Sequence, residues 1–373
     1  MKLSILAENL QKKSPFIARA VSIRTQLPIL SNILLLTKKG KLQISSTDLE
    51  IGIQVEIPAN IEEEGGITVP AKSFLDLINS LPLGKLILES DGEALKVLTT
   101  KTKSTFQTIS KDEFPKLYEE KGEKIFDIQK KSLQKDFSMI IFSAAQDSSR
   151  PALSGVLLKK DNKTLTLVAT DGFRLSYKKV NFIQVKKRED LELEKPILVP
   201  ARVFREIISL KDEEGEVEIY ISKKNNQILF EQEGIILVGR LIEADYPNYE
   251  KIIPANFTTS VIFDKEELQK AVKICSIFAR ETANIIKISL KKDLMIVCAN
   301  TQSIGDNKVE VEAKLNGEEN EIAFNARYLL DLLGNIEEEE MVFEMTGPLN
   351  PGVFKIKEDP TFLHLIMPIR VQE

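Results

Sequence analysis

Apolar positions along the chain switch between two periods. Leu133, Phe137, Ile140, Ile141 and Ala144 recur at i, i+4, i+7, i+8, i+11, and Leu268, Ala271, Val272 and Cys275, with Phe278 or Ala279, follow a similar stripe. Each spacing predicts an amphipathic helix. A third candidate, Leu10 to Ile23, is less regular. It accommodates Pro15 if it begins near Gln11, where the missing amide hydrogen falls among the unpaired groups of a first turn. Between the helices, runs such as Lys41 to Ile57 and Thr164 to Val180 alternate apolar and polar residues, the period of strands with one buried face. Near the middle, Ala169 to Leu175 reads ATDGFRL between two such runs. Its Asp-Gly pair predicts a tight turn, because Gly172 tolerates positive φ, and the turn should push Phe173 and Arg174 outward.

The same order of elements occurs three times. VPAKSFLDLI at 69 to 78 recurs as VPARVFREII at 199 to 208 and as FNARYLLDLL at 324 to 333, offsets of 130 and 125 residues. LPILSNILL from Leu27 matches RPALSGVLL from Arg150 and TANIIKISL from Thr282; SSTDLEIG, VATDGFRL and CANTQSIG follow in step. EFPKL and DYPNY mark the ends of the first two units. The pattern predicts an α+β fold of three repeated units, each reading helix, strands, helix, strands, with domains at 1–124, 125–253 and 254–373.

Composition narrows the chemistry. A chain of 373 residues with 43% hydrophobic and 29% charged residues fits a multidomain globular protein. No run approaches the roughly 20 apolar residues of a membrane span, and the N-terminal stretch has no export signal, so a cytoplasmic location is expected. Cys275 and Cys298 make no disulfide framework and fall at apolar positions. His364 is the only histidine, and neither CxxC nor HExxH occurs, which leaves no His/Cys metal site and no implied cofactor. The acidic runs Glu62 to Glu64 and Glu337 to Glu340 read as solvated loops.

Charge is unevenly distributed. The predicted long helices carry +3 (Glu8 to Arg24), +2 (Ile128 to Ala145) and +2 (Lys265 to Arg280), and the short helix of the second unit, Pro200 to Lys211, adds +2. The helices total +9 in a chain of net −5, leaving −14 elsewhere. Helices of one sign in all three units would present a basic surface to a polyanion, with attraction that reads no sequence.

LPILSN with TDLE, VPA-K/R-x-F, RPALSG, VATDGFRL, DYPNY and the terminal MPIR resemble, in order and spacing from Met1 onward, the bacterial DNA polymerase III β subunit family, the sliding clamps. The resemblance implies head-to-tail pairing of two copies into a six-domain ring, helices lining the hole and sheets outside. Double-stranded DNA would pass through while polymerase stays tethered. The chain would carry no catalytic site. By the same resemblance Arg24, Lys72, Gln146 and Arg202 would contact DNA, and Phe106 would meet Ile277 and Phe278 across the homodimer interface. A groove for short peptides of the polymerase III α subunit, the clamp loader, other polymerases and repair proteins would involve Leu153, Thr170, Gly172, Phe173, Arg174, Leu175, Pro247, Lys251, Ile252, Leu365, Met367, Pro368 and Arg370. Two features depart from the family: Phe173 stands where many members carry histidine, and Val371, Gln372 and Glu373 extend the tail.

Two other readings compete. Asp48 and Asp171 at matching places suggest an enzyme, but Asn300 and Thr301 follow in the third unit and no general base lies nearby in sequence. A repeat scaffold that binds only proteins, without encircling DNA, would not need basic helices.

Overall fold

The structure, a computed structural model of the chain, describes residues 1–22, 26–147, 149–161, 164–181, 195–209 and 215–370. Among them six helices occur, two per repeat: α1 (Ala7–Arg19) and α2 (Ala71–Ser80), α3 (Lys130–Ile141) and α4 (Ala201–Ile208), then α5 (Lys265–Ala279) and α6 (Ala326–Gly334). A strand precedes each long helix, which the helix-first reading missed: Lys2–Leu6, Glu123–Gln129 and Thr259–Asp264. The alternation in KLSIL and TSVIFD is the signal for it, every second residue being buried.

Local chemistry sets the helix ends. Asp264 caps α5 by accepting from the Glu267 amide at 2.8 Å, and Glu266 and Glu267 place negative charge in the first turn. The buried face of α5 is Leu268, Ala271, Val272, Cys275 and Ala279, with Phe278 half-buried at its margin. Helix α1 departs from expectation. It begins at Ala7, so Pro15 lies inside it. The Gln11 carbonyl that a residue-15 amide would have bonded accepts instead from Ser14 Oγ at 2.9 Å, and the Gln11 amide group donates to the Ile78 and Leu81 carbonyls at the end of α2. The proline is tolerated because its carbonyl has another donor.

The chain packs as two compact units. One comprises mainly Met1–Lys131 and Arg202–Leu241, the other mainly the described residues of 132–181 and 242–370. The first unit holds a five-stranded sheet in the order Asn60–Glu63, Lys2–Leu6, Lys85–Ser90, Ala94–Leu98, Lys103–Gln107. It also holds an eight-stranded sheet in which Ile235–Arg240 of the second repeat pairs antiparallel with Ile51–Pro58 of the first, Ile235 opposite Val55 and Gly239 opposite Ile51. In the second unit a twelve-stranded sheet is joined the same way: Arg174–Asn181 of the second repeat pairs with Asp359–Ile366 of the third. Packing units and repeats therefore differ, because sheets run across the repeats.

Helices α1 and α2 pack together against the first unit, and α5 and α6 do so in the second, over a core that includes Val261, Phe263, Ile286, Phe324 and Phe343. At the link between the first two repeats Gly122 has φ +77°, and a Cβ there would sit 2.2 Å from the Ile221 carbonyl oxygen. Only glycine fits that approach. The acidic runs are not simple loops. Glu62 belongs to the strand Asn60–Glu63 and pairs with Lys2 at 2.7 Å, and Glu338 pairs with Lys135 at 2.7 Å. No cluster of three or more metal-ligating side chains occurs among the described residues. Nor is any described helix long and apolar enough to cross a membrane.

Candidate partner-docking groove and basic helix faces

The ATDGFRL turn is a closed set of short bonds. Thr170 Oγ1 donates to the Arg174 carbonyl at 2.6 Å and accepts from the Gly172 amide at 3.0 Å. Asp171 Oδ1 accepts from the amides of Phe173 (2.9 Å) and Arg174 (3.0 Å). This Asx-type scaffold needs φ +93° at Gly172, as the sequence predicts.

The turn displays Phe173, which is 54% exposed, but not Arg174, which is 7% exposed. Contrary to the outward placement expected of it, the guanidinium turns in, because a carboxylate on each side and a carbonyl below satisfy its donors. Arg174 Nε binds Asp171 at 3.0 Å, Nη1 binds Asp331 of α6 at 2.6 Å, and Nη2 donates to the Phe142 carbonyl at 2.8 Å. The Tyr328 ring lies 4.7 Å beneath the guanidinium carbon, and Phe173 stacks on the same ring at 6.5 Å. Asp331 and Tyr328 escaped sequence reading, since nothing near them in the chain signals a partner so distant in sequence.

Strand pairing brings the turn to the C-terminal run. Leu175 lies opposite Leu365, and the Met367 amide donates to the Phe173 carbonyl at 2.8 Å. Leu175 and Leu365 are buried with Tyr249, Val353 and Leu157 in one apolar cluster, and Leu153 and Thr170 are buried too. Ile252 and Met367 are exposed large apolar side chains, as is Phe173. Pro247, Lys251 and Arg370 are exposed, and Pro368 is half-buried. Burial, and then the charge of Glu250, pushes the Tyr249 hydroxyl up to about 12. The arrangement is a buried apolar floor with a flexible type of side chain, a thioether, and an aromatic ring at its rim, suited to a short, partly apolar peptide. The tail residues 371–373 lie outside the described residues.

The residues expected at DNA are dispersed. Lys72 and Arg202 occupy the second position of α2 and α4. Lys72 is exposed and forms no ion pair among the described residues, whereas Arg202 reaches Asp48 at 2.5 Å and Glu50 at 3.8 Å. Gln146 is exposed, and Arg24 lies outside the described residues. Other exposed helix cations without an ion pair among the described residues are Lys12, Lys131, Arg205, Lys273 and Arg327.

Of the residues expected at a subunit interface, Phe106 lies on an edge strand, Ile277 is exposed on α5, and Phe278 packs against the core. Phe106 is half-buried edge-on against Phe74, with 5.8 Å between centroids, in the outermost strand of the five-stranded sheet. Ile277 is 51% exposed, and Ile274 one turn before it, which sequence reading passed over, is exposed as well. Strand Gly305–Gly317 pairs with Leu294–Thr301 along residues 305–312 and with Thr259–Asp264 only from Ala313 on, so its first half keeps one open edge among the described strands.

Three family models match in succession: the DNA polymerase III beta subunit N-terminal domain over residues 1–118, its central domain over 127–248 and its C-terminal domain over 250–370. The chain belongs to the DNA polymerase III beta subunit family. It is 30% identical over 365 residues to the beta sliding clamp of Staphylococcus aureus, with 94% of each chain covered. The crystal structures of the DNA polymerase sliding clamp from Bacillus subtilis (TM-score 0.94, 26% identity) and of the DNA polymerase III subunit beta from Pseudomonas aeruginosa (0.92, 28%) each align over 100% of both chains. The three-domain clamp fold is thereby established. Sliding clamps are non-catalytic processivity factors, so the chain's role is to tether a polymerase to DNA. Asp48 and Asp171, the pair that suggested an enzyme, are the carboxylates that fold two equivalent turns.

Proposed function

We propose that two copies of the chain close head to tail into a ring around duplex DNA, and that partner proteins dock short peptides in the groove of the second unit. The observation that carries the docking reading is the juxtaposition of Phe173 and Met367 over the buried pair Leu175 and Leu365. The peptides would come from the polymerase III α subunit, the clamp loader and other polymerases and repair proteins. Phe173 in place of a histidine makes that rim apolar and favours partners with an aromatic or aliphatic residue there.

Dimer closure is supported by two open strand edges, Lys103–Gln107 and 305–312, with Phe106 beside one and Ile277 on α5 in the same repeat as the other. Encirclement is supported by cations on helices of all three repeats in an acidic chain; Lys72, Arg202, Gln146 and Arg24 would make phosphate contacts that hold without reading sequence. Domain limits near 124 and 253 and a cytoplasmic site of action complete the reading. Retention on DNA tests it. Loaded on nicked circular DNA, the protein should stay bound in salt that screens phosphate contacts and run off after linearisation. Equal loss from both forms would mean simple electrostatic binding.

A further inference from the structure

The turn that carries the groove has a counterpart in the first unit, bond for bond. Thr47 Oγ1 donates to the Ile51 carbonyl at 2.8 Å and accepts from the Leu49 amide at 3.0 Å; Asp48 Oδ1 accepts from the amides of Glu50 (3.1 Å) and Ile51 (2.9 Å). The neighbouring strand keeps its place as well. Gly52 lies opposite Val238 as Leu175 lies opposite Leu365, and the Arg240 amide donates to the Glu50 carbonyl at 3.0 Å as that of Met367 does to Phe173. Pro115 and Leu117 stand where the second repeat has Pro247 and Tyr249. Between these pieces lies an open cavity of about 150 Å³, room for a side chain.

Its chemistry differs from that of the other groove. Glu50 replaces Phe173, Arg240 replaces Met367, and Lys116 replaces Asn248. Arg240 and Lys116 form no ion pair among the described residues, while Glu50 is 3.8 Å from the Arg202 guanidinium. Gln227 Nε2 donates to the Leu117 carbonyl at 2.9 Å, while Gln227 Oε1 and Asn225 Nδ2 are buried without a hydrogen-bond partner among the described residues. One donor and one acceptor lining the same cavity match the carbonyl and amide of an extended peptide. Leu49 occupies the place of Gly172 at φ +78° and is 53% exposed. A leucine held in the left-handed region is strained, and strain spent on displaying an apolar side chain at a cavity mouth is a mark of a binding edge.

We propose that this cavity is a second docking groove, one that takes an extended acidic segment of a partner protein. An apolar side chain of that segment lies against Leu49 and Leu117, its backbone meets Asn225 and Gln227, and its carboxylates meet Arg240 and Lys116. What the likeness of the two turns implies for binding rests on the docking reading of the second-unit groove; the cavity, the two cations and the unpartnered amide atoms stand apart from it.

The test is fluorescence anisotropy with the fluorescein-labelled peptide Asp-Leu-Asp-Leu-Asp-Leu, run on the full chain and on its Met367→Glu variant, in which the second-unit groove is blocked. Saturable binding should persist in Met367→Glu, weaken roughly tenfold or more on adding Arg240→Glu or Lys116→Glu, and recover with Arg240→Lys. A peptide with lysine in place of aspartate should not bind. Absence of saturable binding, unchanged affinity in the charge-reversed variants or equal binding of the lysine peptide overturns the proposal. Binding to the unsubstituted chain that vanishes in Met367→Glu also overturns it, and leaves the second-unit groove standing.

Discussion

His364 offers a clean test of the packing beneath the second-unit groove, because it is the chain's only histidine and titrates in a range with few competing groups. Its ring is fully buried on the strand Asp359–Ile366, 5.3 Å from the Phe142 ring and opposite Ser176 and Phe354 in the sheet. Nδ1 lies 2.7 Å from Ser176 Oγ, which lies 2.7 Å from Ser143 Oγ, and Nε2 has no partner among the described residues. Burial, and then the nearby charge of Arg174, pushes the imidazole pKa well below 6.5. The native ring therefore stays neutral where the unfolded one takes up a proton. The contribution to stability is intact above the unfolded value and is lost as pH falls below it. Between about pH 7.0 and about pH 5.5 the loss is at most about 1.3 kcal/mol, for a proton bound near 6.5 only when unfolded. Asp136, whose pKa burial raises, works in the opposite sense nearer the carboxylate range, which is why the window stops there. Urea unfolding across this window should show the decline in the native sequence and a flatter profile in His364→Phe. The same pH dependence in both, or an imidazole proton resonance that titrates near 6.5 in the native state, would refute the account.

Two further perturbations probe the turns. Arg174→Met should cost about 3–5 kcal/mol, because it leaves Asp171 without its buried partner, whereas Asp331→Asn should cost under about 1 kcal/mol, since that carboxylate is half exposed; urea midpoints at constant slope measure both, and equal losses would sink the asymmetry. Leu49→Gly should raise stability by about 1 kcal/mol by relieving the left-handed conformation, and a lower midpoint would show that the contacts of Leu49 outweigh its backbone strain.

What could be read from the residues was periodic or local. The stripe Leu268, Ala271, Val272, Cys275 foretold the buried face of α5, and the Asp-Gly pair foretold the positive φ of Gly172. The same conformation at Leu49 had no such signal, because leucine carries no preference for it. Pro15 misled through a sound rule: interior prolines leave a carbonyl bare, and only the structure shows that Ser14 covers it. Arg174 misled for another reason. Its burial depends on Asp331 and Tyr328, more than 150 positions away, and no local pattern encodes that contact. The repeats themselves gave the order of elements but not the pairing across them, since strands of one period fit several partners equally well.

The strand pairings that cross repeats bear on how the chain reaches its native state. Ile51 must find Gly239 and Leu175 must find Leu365, separations of 188 (239 minus 51) and 190 (365 minus 175) residues. Closing a loop of that length costs about 5 kcal/mol in chain entropy before any contact rewards it. Hairpins such as Lys38 with Lys41 close over almost nothing. Folding should therefore be fast within hairpins and slow at the two seams, with open strand edges exposed in the interval. Both proposed grooves lie on those seams. A bound peptide would act as a clip on the slowest-closing joint of each unit, so partner binding and resistance to unfolding would rise together.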